Sequence, residues 1–286
     1  MKQIFTLLAF MGLAISGFSQ NDTTGTNQRK PEGDTIRIGG MVIIRKPGSK
    51  HFETGSEYKM RDRKSDKPSN LTTNYWVFDI GFSNWTDNTV YNSAGMQSFA
   101  PNSNSTWFTL RDGKSRNVNI WLFMQKLNMV KHVMNLKYGL GLELNNYRFK
   151  YPLRFQKVTT PVADPVRVKY DSTSGRSYSK NKLAADYLTV PMMLNFNFTP
   201  QREKGFGLSG GMSVGYLYSS RNKTITSDEK KQKEKDDFDL RKWKISYIAE
   251  ISLGEIKFYG SLATKSIFKR GLDVPSYNVG FRFSHF

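Results

Sequence analysis

Residues 134–145 read MNLKYGLGLELN. Met134, Leu136, Tyr138, Leu140, Leu142 and Leu144 alternate with Asn135, Lys137, Gly139, Gly141, Glu143 and Asn145. A period of two puts the six apolar side chains on one face of an extended strand. A helix would set Lys137 and Gly141 beside leucines, and its glycines would weaken it. The same alternation recurs over residues 74–85, 116–127, 133–147, 186–198, 205–219, 240–253, 255–264 and 277–286, which predicts eight strands. In the last of these Tyr277, Val279, Phe281 and Phe283 oppose Asn278, Gly280, Arg282 and Ser284. The run ends at Phe286, as expected of a strand that closes a ring against the first one.

The links between these runs alternate in length. Long ones follow the first, third and fifth runs, a moderate one follows the seventh, and short ones follow the second, fourth and sixth. Short periplasmic turns and long external loops produce this alternation in bacterial barrels, and it places both termini in the periplasm. The expected fold is all-β: an eight-stranded antiparallel up-and-down transmembrane β-barrel over residues 73–286, in the outer membrane of a Gram-negative envelope. A secreted β-sandwich is the competing architecture.

Residues 1–19 read as a signal peptide, with Lys2 ahead of a short apolar run and small residues at Gly17 and Ser19. No later stretch has the roughly 20 continuous apolar residues of a membrane helix. Residues 20–72 are polar and basic, expected as a flexible periplasmic segment with a short hairpin at 35–45 turning at Gly39–Gly40.

Parity assigns faces. In the first strand Trp76, Phe78, Ile80 and Phe82 are expected to face lipid, and Tyr75, Val77, Asp79 and Gly81 the interior. In the second, Val118, Ile120, Leu122 and Met124 are assigned to lipid. Asn117, Asn119 and Gln125 are assigned to the interior, with Trp121 and Phe123 on that parity. Pro191, inside the fourth strand, predicts a break in the ladder. The interior-facing charges are Asp79, Lys137, Glu143, Lys244, Glu250, Lys257 and Arg282. Both signs are present, so a salt-bridge network filling the lumen is expected, because an unpaired buried charge is costly. A narrow ion or proton path is the alternative.

Hydrophobic residues make up only 38% of the 286, while aromatics reach 14%. Both fit a barrel in which alternate strand residues face lipid and aromatic girdles mark the interfaces. The absence of cysteine excludes a disulfide scaffold, a thiolate metal site and a cysteine nucleophile. The net charge of +19 calls for anionic surroundings. In an outer membrane these are lipid phosphates, lipopolysaccharide among them. No nucleic-acid motif accompanies the charge, so nucleic acid is not expected. The external basic residues Arg148, Lys150, Arg154, Lys157, Arg167 and Lys169 are the candidates for anion contacts or for a protein partner.

Catalysis is not expected. An outer-leaflet lipid-modifying enzyme would need a histidine with a serine and a carboxylate near the outer face. His51 falls in the leader, His132 in a periplasmic turn and His285 at the periplasmic end of the last strand. Their scatter makes no metal site. GFGLSGG at Gly205 lies within an alternating strand, so it is expected to pack the barrel rather than cradle a phosphate. No cofactor is expected.

The runs DYLTVPMMLNF from Asp186, GLGLELNNYRF from Gly139, WVFDIGFSN from Trp76 and the patch TIRIGG resemble the PorT-like outer-membrane β-barrel family. The resemblance covers most of the mature chain and implies an eight-stranded barrel. It also implies, as one option, an accessory of type IX protein secretion with a partner in that machinery. The residues alone point to a non-enzymatic structural or interaction protein presenting basic external loops.

Overall fold

The computed structural model describes residues 35–38, 41–44, 69–158, 165–200 and 205–284. The expected signal peptide, the Gly39–Gly40 turn, His51, His285 and Phe286 lie outside these residues. The chain divides into two units, Met1–Lys64 and Ser65–Phe286. In the first, β1 (Thr35–Ile38) pairs antiparallel with β2 (Met41–Ile44), Thr35 opposite Ile44 and Ile38 opposite Met41.

The second unit is a closed ring. Its eight strands are β3 (Leu71–Trp85), β4 (Arg116–Val130), β5 (Met134–Arg148), β8 (Tyr178–Asn197), β9 (Phe206–Thr226), β11 (Trp243–Leu253), β12 (Ile256–Ala263) and β13 (Ser276–Phe283). Each pairs antiparallel with the ring strand before and after it in sequence. The last pairs with the first, Ser276 opposite Trp85 and Phe283 opposite Phe78, so no edge is left open. The ladder between β5 and β8 lapses beside Pro191, since no pair is formed between Tyr138–Met192 and Gly141–Thr189.

Side chains sort by parity. Leu188, Val190, Met192, Leu194 and Phe196 of β8 point out, while Tyr187, Thr189, Met193 and Asn195 are buried inside. Aromatic residues mark both ends of the outer apolar band. Phe198 stacks on Phe206 at 5.1 Å near the short turns, and Tyr216 meets Trp243 at 5.0 Å near the long loops. Phe206 to Tyr216 is ten steps along β9, about 33 Å at 3.3 Å per residue, or about 25 Å along the membrane normal at ~40° tilt. That equals the apolar height of an outer-membrane barrel.

Two expected faces are corrected. The β4 ladder slips between Trp121, opposite Gly141, and Phe123, opposite Leu140. The extra residue, Leu122, is a bulge that inverts parity beyond it. Met124, expected in lipid, is therefore inside with no exposure. Phe123 and Gln125, assigned to the interior, turn out beside the outward-facing Leu140 and Tyr138. On β3, Trp76 takes φ 55° and drops out of the ladder, so Tyr75 is 68% exposed instead of buried.

The four long connections fold over one mouth of the ring. They carry α1 (Ala94–Phe99), the hairpin of β6 (Leu153–Phe155) with β7 (Val168–Tyr170), and β10 (Lys231–Lys235), which extends the sheet beyond β9. Ser93 accepts a hydrogen bond from the Met96 amide to cap α1. Met96, Phe99, Phe108, Phe155, Phe238 and Phe268 are buried in one cluster that reaches Tyr147, Leu183 and Tyr187 on the strands below. Phe155 sits at its centre, 5.5 Å from the Phe149 ring and 5.7 Å from the Phe238 ring. These stretches were expected as long external loops; they form a packed cap. Residues 221–226, expected in the loop, continue β9 above the ring.

Candidate functional site

The lumen is the first candidate. Asp79, Lys137, Glu143, Lys244, Glu250, Lys257 and Arg282 all lie inside it, each less than a tenth exposed. Arg282 is the hub. Its guanidinium grips Asp79 with two bonds of 2.7 and 2.8 Å and reaches Glu250 at 2.5 Å. Lys137 holds the other oxygen of Glu250 at 2.5 Å. Asp79 also accepts from the Trp121 indole at 2.8 Å and from Asn119 at 3.0 Å. The Arg282 fork lies between the Trp121 and Tyr259 rings, 5.5 and 5.9 Å from their centroids.

A second cluster centres on Glu143, which pairs with Lys244 and accepts from Asn145 at 3.1 Å and Asn278 at 3.3 Å. The Lys244 ammonium lies 5.2 Å from the centre of the Tyr187 ring. Lys257 joins neither cluster; it donates to the carbonyl and hydroxyl of Ser284 at 2.6 and 2.8 Å. Between the clusters a cavity of about 20 Å³ is lined by Asn119, Trp121, Glu143, Met193 and Arg282. That is room for about one water molecule. The polar partners of the seven charges, Trp121 and Asn119 above all, were not singled out from sequence, although their interior parity was visible.

The cap is the second candidate. Arg154 pairs with Asp171 at 3.1 Å and with Glu229. Arg176 meets Asp171 at 2.9 Å and Asp228 at 2.7 Å. Arg167 is buried and holds Asp236 at 2.7 Å, Asp237 at 3.1 Å and Asp239 at 2.8 Å. So Arg154 and Arg167, expected to face an external anion, are held by carboxylates of the cap: Arg154 by Asp171 of its own connection and by Glu229 of the next, Arg167 by three aspartates of the connection between β9 and β11. Burial works against the Asp171 charge, but hydrogen bonds from Thr173, Tyr178 and Arg176 outweigh it and hold this carboxyl well below its ordinary value. Asp237 is lowered in the same way, against burial, by the Asp239 amide and by Lys269 and Arg167. Lys150, Lys157 and Lys169 are exposed on the cap. Arg148 lies on the outer wall, donating to the Ser179 carbonyl at 2.6 Å.

His132 sits in the tight turn between β4 and β5, at φ 59° after Lys131 at φ 45°, and its amide donates to Asn128 at 2.7 Å. It is at the short-turn end, away from the cap. Among the described residues no group of three histidines or carboxylates has metal-binding geometry.

A closed antiparallel ring, apolar outside and ionic inside, with a 25 Å band between aromatic girdles, defines a transmembrane β-barrel. The chain belongs to the outer membrane protein beta-barrel domain family, whose profile matches residues 76–272. Among solved structures it is similar to Ail, the attachment invasion locus protein of Yersinia pestis. The two share 10% identity over 74% of this chain and 97% of that one, with a TM-score of 0.31. No curated protein matches the chain. Its place is the outer membrane.

Proposed function

We propose that this protein is a non-catalytic membrane anchor whose folded cap is its working surface, held outside the cell with both termini in the periplasm. One observation carries the reading: the lumen charges are tied into ion-pair and hydrogen-bond networks around a cavity of about 20 Å³, and the mouth at the long-loop end is covered by a hydrophobic core. An interior occupied in this way disfavours passage of solutes, which leaves the ordered cap as the surface for a task. Ordering the connections costs conformational entropy, and a chain that needed only a plug would do as well with short loops. The cap therefore presents a fixed shape to a partner.

Refolded full-length protein in planar bilayers should stay electrically silent, and crosslinking from intact cells should join cap residues to one recurrent envelope protein. Steady single-channel conductance would overturn the reading. The finer reading, a PorT-like accessory of protein secretion, is supported by sequence resemblance. Recovery of secretion components among the crosslinked neighbours tests it. An outer-leaflet lipid enzyme is disfavoured by the position of His132, and unchanged lipid A in a deletion strain checks that.

A further inference from the structure

The outer wall beyond the girdle, toward the long loops, carries a row of cations that no requirement of folding explains. In the ladders, Arg148 lies opposite Lys182, Lys182 opposite Lys223, and Lys223 opposite Lys233. These four residues occupy one rung across four neighbouring strands, β5, β8, β9 and β10. Directly opposed residues share a face, and Arg148 is in phase with the lipid-facing Leu144 on β5, so the whole rung points away from the lumen. The next rung toward the membrane adds Arg221 opposite Lys235, and the rung above adds Lys180 and Lys231 flanking Ile225. One rung nearer the membrane still, Asp186 stands opposite Leu144 and pairs with Arg221.

Like charges facing each other across strands destabilise a sheet. In the lumen Lys137 and Arg282, and in the cap Arg167 and Arg176, are set against carboxylates. Here cations accumulate instead across four neighbouring strands. With strands about 4.8 Å apart the row is about 14 Å wide. Arg148 lies four residues beyond Leu144, about 10 Å along the normal at barrel tilt, and long basic stems lie back toward the interface. That brings the Arg148 head to the depth of lipid headgroups, with the other heads of the row on the side of the long loops.

We propose that this wall, centred on Arg148, Lys182, Lys223 and Lys233, docks the phosphate-bearing headgroup of a membrane lipid in the leaflet at the long-loop end. The phosphates supply the countercharge that the sheet lacks, while the acyl chains lie against the apolar band below. The inference rests on the barrel's embedding and is independent of what the cap binds.

The test uses full-length protein refolded in a neutral detergent, with phosphatidic acid as the phosphomonoester probe and phosphatidylcholine as the control. Native mass spectrometry reads the bound lipid. The variant Lys182→Gln with Lys223→Gln and Lys233→Gln should bind phosphatidic acid about a hundredfold more weakly, given roughly 1 kcal/mol per basic residue near an anionic surface. Phosphatidylcholine binding should not change, and millimolar inorganic phosphate should not compete. Without lipid the same variant should unfold later than the parent, because opposed charges have been removed; a site serving structure alone would lose stability. A charge-matched variant at Lys131, Lys242 and Lys265 should behave as the parent. If the triple variant does not refold, Lys223→Gln alone should show about a fivefold loss. Equal retention by parent and variant overturns the proposal, as does displacement by inorganic phosphate or by a soluble polyanion. Retention of heat-modifiable migration on gels separates these outcomes from failure of the barrel itself.

Discussion

Arg282→Met isolates the hub of the lumen. The substitution keeps an unbranched stem but removes the fork that holds Asp79 twice and Glu250 once. Glu250 retains Lys137, and Asp79 retains only the neutral donors Trp121 and Asn119. A buried carboxylate left without its cation costs about 3–5 kcal/mol. Taking about 4 kcal/mol, the unfolding equilibrium shifts by about a thousandfold. With a urea slope of about 2 kcal/mol per molar, the midpoint should fall by about 2 M. The assay is urea unfolding of the protein refolded in vesicles, followed by tryptophan fluorescence and by loss of heat-modifiable migration. Adding Asp79→Asn should recover at least about half of the loss, because removing both members of a buried pair is nearly neutral where removing one is not. A midpoint change under about 0.5 M, or no recovery in the double variant, would refute the argument. It would mean that water reaches these charges and that the lumen is open.

Three further outcomes follow from the geometry. Gly211→Ala would set a Cβ 2.0 Å from the Met192 carbonyl oxygen, while at Gly210, one residue away on the lipid face, nothing lies within 4 Å. The first should cost about 3 kcal/mol and the second almost nothing in the same urea assay. Phe155→Ala empties the centre of the cap core and should cost that core about 3–5 kcal/mol. Trypsin should then cut the long connections faster while heat-modifiability persists; loss of both together would show the cap and ring to be one unit. Asp171 and Asp237 have carboxyls lowered from their ordinary value of 3.8 in the folded cap. A lowered folded value stabilises above the unfolded one and is lost as pH falls through the folded one. Near-ultraviolet circular dichroism should therefore fade below about pH 4 while the far-ultraviolet strand signal holds, and a flat profile from pH 6 to 2 would count against the pairing.

The ring was readable because its physics is local. Each strand repeats a two-residue period, and the lumen charges follow from that period without any knowledge of which strands meet. Met124 was misplaced because a bulge is a single extra residue at Leu122 and leaves no mark on composition. The cap was illegible for a different reason. Met96, Phe99, Phe108, Leu110, Phe155, Phe238 and Phe268 are scattered through Asn, Ser and charged residues with no period, and become a core only when four distant loops meet. Arg154 and Arg167 looked like free external cations for the same reason, since Asp171, Glu229, Asp236, Asp237 and Asp239 lie up to 75 residues away in sequence. The resemblance in sequence led to the right envelope class without supplying any residue for a task.

The lumen pairs also bear on how such a chain enters a membrane. Asp79 and Arg282 are 203 residues apart, and Lys137 and Glu250 are 113 apart. Each strand therefore carries its charge bare until a far later strand arrives. A half-formed sheet would expose both open backbone edges and unneutralised side chains to hydrocarbon, so its partial forms are disfavoured relative to a complete ring. Electroneutrality here belongs to no segment of the chain and appears only with closure, which makes arrival of β13 beside β3 an all-or-none latch on insertion.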